Sequence, residues 1–142
     1  MIQVAPAVQD LARKLLVQEA DESQPSEAGI RAAEKLRLHL SKLVGVSGYH
    51  ALIARALALA KAEAAWLGAV QLEADGSLDG FLEAAVKQDP QEAMKGEMAL
   101  LAQVLGLLIT FIGPALTLRL VRDIWPEAAL NDINSGAEET PS

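Results

Sequence analysis

Hydrophobic positions along the 142-residue chain recur every three to four residues over most of its length, and that period predicts helices. Across residues 6–20, Val8, Leu11, Ala12, Leu15 and Leu16 fall on one face, while Gln9, Arg13, Lys14 and Gln18 lie away from it. Residues 21–25 are polar and end in Pro25, which disfavours helix at the residue before it. Pro25 itself suits the first position of a second helix, where its missing N–H is not needed. Ile30, Ala33, Leu36, Leu40 and Leu43 carry that helix's apolar stripe. Leu36, Leu38 and Leu40 also alternate as a strand would, but the pattern is too long for one. Gly45 and Gly48 are expected to stop it. A third helix is expected from Tyr49 to about Val70, with Ala54, Ala58 and Ala62 as a small face for close packing and Trp66 as an anchor.

Beyond it, Val70, Leu72 and Ala74 alternate ahead of the hairpin dipeptide Asp75-Gly76, although a plain loop between helices is the expectation. Residues 81–88 read as a short helix. Asp89-Pro90-Gln91-Glu92 then gives a firm helix start, with a capping residue, proline at the first helical position and Glu three residues after the cap. This helix enters the most apolar part of the chain. Residues 98–118 contain no charge and match the roughly 20 residues that cross a bilayer. Gly113-Pro114 should kink or split the helix, because proline removes a backbone bond and clashes with the preceding turn. Gln103, Gly106, Thr110, Gly113 and Thr117 form a stripe predicted to pack closely on a neighbour. A further segment over 114–124 closes at Trp125-Pro126. The expected fold is therefore all-α, a single compact bundle of about five helices over residues 1–130, followed by a flexible acidic tail over 131–142. No repeat at solenoid periods is visible.

Composition narrows the functional classes. Hydrophobic residues make up 51% and aromatics 4%, which favours helices rich in Ala and Leu. A net charge of -7 argues against nucleic acid, whose phosphates need a basic patch, and it also disfavours an anionic membrane surface. The lack of cysteine removes disulfides and thiolate chemistry. Met1 to Pro6 lacks the basic region and apolar run of a signal peptide, so a cytoplasmic protein is the expectation.

Candidate chemistry is sparse. Asp75-Gly76-Ser77-Leu78-Asp79-Gly80 opens like a calcium-binding EF-hand loop, but Val86 stands where the bidentate Glu belongs, so a turn capped by aspartate is expected. His39 and His50 belong to no metal-binding helix motif. No nucleophile elbow or phosphate-cradling glycine loop is present. No catalytic residue, cofactor or metal site is therefore assigned, and a non-enzyme is expected. The preferred expectation is a helical interaction module, a regulatory or adaptor subunit that binds another protein or forms a homo-oligomer. Its expected surface is Arg119, Arg122 and Trp125, spaced three apart on one helix face and of residue types that anchor interfaces. The alternatives are a small membrane-anchored protein with 98–118 as its span, or a bundle that opens around a lipid or acyl chain.

Overall fold

The structure is a computed structural model that describes residues 5–22 and 27–126. Five α-helices carry it: α1 (Pro6–Glu22), α2 (Ala28–Lys61), α3 (Phe81–Val86), α4 (Pro90–Ile112) and α5 (Pro114–Ile124). A 3-10 turn over Ala65–Ala69 follows α2. The strands β1 (Gln71–Leu72) and β2 (Leu78–Asp79) pair antiparallel, Gln71 opposite Asp79 and Leu72 opposite Leu78. The all-α bundle read from periodicity is thus what the chain forms, with a minimal ribbon in place of the expected plain loop. The ribbon closes because Glu73 N–H donates to Ser77 O and Gly76 N–H to Glu73 O. Asp75 caps that turn, accepting from the N–H and hydroxyl of Ser77. The expected tail and the helix start at Pro25 lie outside the described residues.

The expected stop at Gly45 and Gly48 takes a different form. α2 runs through both positions, and Gly45 alone leaves helical geometry, at φ 83° and ψ 164°. It divides α2 into arms over 28–44 and 46–61. The expected split in the apolar stretch occurs at Gly113, where φ is 87° and ψ 162°, with Pro114 opening α5. Both glycines hold the same conformation, in a region that residues with a side chain essentially avoid. Thr117 reinforces the second break by donating its hydroxyl to Gly113 O at 2.8 Å.

α4 is the central element and packs on α1, α2 and α5. Residues 99–105 are buried in succession, so every face of the helix is covered there. Toward its end the cover thins, and Thr110 and Phe111 are exposed. The small-residue stripe consequently divides: Gln103 and Thr117 are buried, whereas Thr110 faces outward. On α2 the close-packed face is Leu52, Ile53, Ala56, Leu57 and Ala60, while Ala58 and Ala62 are exposed. Ala54, Ala58 and Ala62 share a face, but the partner helices lie against its neighbour. The stripe expected on α1 is buried throughout. Trp66 sits edge-on to Phe81 with ring centroids 5.6 Å apart and donates to Glu92 O.

The first arm of α2 runs parallel to α4. Glu97 lies on Gly29, and Ala33 and Leu36 share a small cavity with Leu101 and Val104. Each of these pairings is separated by 68 positions, as are Gly45 and Gly113. The register therefore brings both breaks to the same end of the bundle. From each break the chain turns back: Ile53 re-enters the cavity of Leu36 and Val104, and Trp125 returns to Glu19 beside Lys35. The burial pattern repeats with the same offset, pairing Leu36 with Val104, Leu40 with Leu108, Leu52 with Leu120, Ile53 with Val121 and Leu57 with Trp125. Two helix–glycine–helix units lie side by side, although few residues are identical between them.

A Cβ at Gly45 or Gly113 would meet no neighbouring atom within 4 Å. Substitution there therefore isolates backbone strain from crowding. Gly45→Ala and Gly113→Ala are each expected to destabilise the fold by about 1–3 kcal/mol. Chemical denaturation checks this, and Gly68→Ala, also in open space but at ordinary φ, should cost little by comparison.

Candidate functional site

The candidate site is the end of the bundle to which the register brings both breaks. A residue next to a helix break has few neighbours to cover it, and both sequences around the breaks are apolar: Leu43-Val44-Gly45-Val46 and Phe111-Ile112-Gly113-Pro114-Ala115-Leu116. Leu43 is 65% and Phe111 68% exposed, and Val44, Val46 and Leu116 are each about half exposed. Among the described residues these five account for most of the strongly exposed large apolar side chains. Such residues scattered singly need no explanation, but a group at one end of a fold marks a contact surface.

Charge is sorted along the same axis. Between Glu34 and Glu63 the chain has no carboxylate, and between Glu97 and Asp123 it has none either. Both intervals bracket a glycine break. They contain Lys42, Arg55, Arg119 and Arg122, all exposed and without an ion pair among the described residues. Arg37 lies further inside and is occupied, with Nη2 2.8 Å from Glu34 Oε1 and Nη1 3.6 Å from Asp75 Oδ2. Asp75 is the ribbon carboxylate that Arg37 reaches, and Glu73 stands in the same turn. Asp75 rests near Tyr49, whose ring packs on Gly76. Burial of Tyr49 pushes its phenol well above the ordinary range, so it stays neutral.

Of the three residues expected at an interface, Arg119 and Arg122 are exposed, but Trp125 is 1% exposed and belongs to the core. The same spacing of three that suggested a common face lets the helix end turn Trp125 inward. Its indole N–H donates to Glu19 Oε2 at 2.7 Å. Glu19 is fully buried, and Lys35 Nζ ion-pairs with that oxygen, while Arg31 Nε stands 3.8 Å from the other. One carboxylate thereby joins α1, the first arm of α2 and the end of α5. In the sequence Glu19 stands in a polar-looking run and draws no attention. Its only signal is its place four positions after Leu15, in line with the apolar face of α1.

A second buried acid, Glu97, is 5% exposed. Its side chain crosses Gly29 so closely that a Cβ there would come within 2.6 Å of Glu97 Cγ. The Gly29 N–H, at the start of α2, hydrogen-bonds the carboxyl, so a residue of α4 caps a helix that has no capping side chain of its own. Burial pushes this carboxyl up to about 7 against the pull of that hydrogen bond. Two open apolar grooves flank the start of α4. One, of about 480 Å³, runs past Gln9, Met94 and Met98; the other, of about 460 Å³, runs past Val86, Pro90 and Glu97. Among the described residues no three His, Asp or Glu side chains converge.

No family model, no curated protein and no solved structure matches the chain.

Both buried acids have measurable effects on stability. Glu97 binds its proton more tightly in the folded chain than in the unfolded one, so its stabilising share is full below about pH 4.5 and is lost as pH rises toward 7. Glu97→Gln should therefore gain on the wild type by about 2–3 kcal/mol between acid and mildly basic pH, as measured by urea unfolding at both. Glu19→Gln should destabilise by about 2–4 kcal/mol, because it leaves Lys35 beside an uncharged partner in a buried site. Thermal unfolding tests it, and exposed Glu83→Gln is the control.

Proposed function

We propose that this protein is a non-enzymatic helical interaction module whose working surface is the Gly45/Gly113 end of the bundle. The observation that carries the reading is the coincidence of exposed Leu43, Val44, Val46, Phe111 and Leu116 at one end of a fold whose other large apolar residues are mostly buried. Arg119 and Arg122 belong to this surface as its charged margin, and Trp125 serves it from inside by holding α5 in place. A spanning role for the apolar stretch draws support from length and composition alone. α2 and α4 both pass that test; 33% of the α2 window and 56% of the α4 window are buried in the fold. The side chains of α4 already have the use that a core helix requires. An apolar-ligand role would rest on the two grooves, which are open to solvent and lie at the start of α4.

The test is a paired substitution, Leu43→Asn with Phe111→Asn. Both side chains are mostly in solvent, so the thermal midpoint should stay within a few degrees of the wild type. Association should not survive. In sedimentation velocity and in fractionation of cell extracts, the wild type should appear with a partner, a second copy or a membrane, and the variant alone. Identical behaviour of the two chains in both measurements would sink the reading.

A further inference from the structure

We infer that the Gly45/Gly113 end docks on the anionic surface of a phospholipid bilayer, with its apolar crown among the upper acyl chains and its cations at the headgroups. The inference rests on the interaction reading above and names the partner of that surface.

Side chains at this end are layered along the bundle axis. At 1.5 Å rise per residue, position in a helix converts to height. The outermost layer is apolar: Val44 and Val46 adjoin one break, and Leu43, Phe111 and Leu116 lie within three residues of one or the other. The next layer is basic. Lys42 stands three residues from Gly45 and Arg119 six from Gly113, about 5 and 9 Å behind the tip. Arg122 and Arg55 follow, nine and ten residues back. Along the helical arms, carboxylates first occur at Asp123 and Glu34, ten and eleven residues from a break. Two acids of the ribbon turn stand closer: Asp75, which Arg37 and Ser77 engage, and exposed Glu73. Apolar, cationic, then acidic is the order that a bilayer meets from its tails through its anionic headgroups to water. An interfacial element reaches about 5–10 Å into that boundary, which matches the depth of the apolar layer and its first cations.

The other occupants fit less well. A second copy meeting this end symmetrically would bring a second set of the exposed cations Lys42 and Arg119 to the same contact, so like charges would add there. Nor does bulk charge explain the attraction. The chain carries -7 overall, so an anionic surface can hold it only through a local patch turned toward the lipid.

Vesicle co-sedimentation of the full chain tests this, with phosphatidylcholine alone and with phosphatidylserine added. Binding should appear with phosphatidylserine, weaken as salt is raised, and fall by about tenfold or more in Lys42→Gln with Arg119→Gln. Leu43→Asn with Phe111→Asn should abolish it. Phe111→Trp, a change that keeps an aromatic at an exposed site, should give tryptophan emission that shifts to the blue on vesicles and is quenched by lipids brominated high on the acyl chain. No binding to phosphatidylserine vesicles at low salt overturns the inference, as does binding that neither pair of substitutions alters. If vesicles fail but the Asn pair still abolishes self-association or a protein complex, the lipid assignment falls and the interaction reading stands. If the Asn pair changes nothing in any assay, both fall.

Discussion

The close passage of Glu97 over Gly29 is the constraint on which the arrangement depends. Gly29 lacks the atom that would block the approach, and its N–H needs an acceptor that α2 does not supply for itself. Glu97 offers one from another helix. The contact fixes where α4 lies against the first arm of α2, and so fixes their parallel register. Had the register slipped by one helical turn, one glycine break would project beyond the other and the apolar end would no longer be level. The contact costs something, since a carboxyl is held away from water there. The raised affinity of Glu97 for its proton is the record of that cost.

The Glu19 cluster does for returning α5 what Glu97 does for the outgoing helices. A buried carboxylate is tolerable only when hydrogen-bonded and paired, and Trp125, Lys35 and Arg31 all approach it. Because these partners come from α2 and the end of α5 while the acid comes from α1, the cluster ties α5 to the base of the bundle. It leaves the break at Gly113 as the place where the chain must turn. The polar interior and the apolar exterior of this fold are connected: buried charge away from the glycine breaks holds in place the apolar residues exposed beside them.

Much of the architecture is legible in the sequence because it follows from local rules. The stripe on α1, the aspartate cap before Pro90 and the split at Gly113-Pro114 each depend on residues within a turn or two of one another. The features that periodicity does not reveal depend on partners far along the chain. Ala54, Ala58 and Ala62 have ideal spacing for close packing, yet the adjacent face is the one used, because α4 and the returning arm lie there. Trp125 shares its spacing with Arg119 and Arg122, and only the position of Glu19, more than a hundred residues earlier, draws it inward. Gly45 reads as an end, since a glycine after an apolar helix usually is one, and nothing local says that the helix resumes. The candidate surface is hidden for the same reason. Leu43 extends the buried stripe of α2 in sequence, yet beside the break it is 65% exposed.

The pairing of two helix–glycine–helix units has a kinetic consequence. Within each unit the contacts are local, joining residues on either side of a single turn, and contacts of that kind form quickly because little chain must be ordered to close them. The contacts between units span 68 positions and include the burial of Glu97. Docking of two preformed pins should then be the slow step. While they wait, the inner faces of both are uncovered, and the chain is most exposed to misassembly with the corresponding pin of another molecule. The likeness of the two units that gives the folded protein its level end is the same likeness that makes such an exchange of pins the characteristic hazard of its folding.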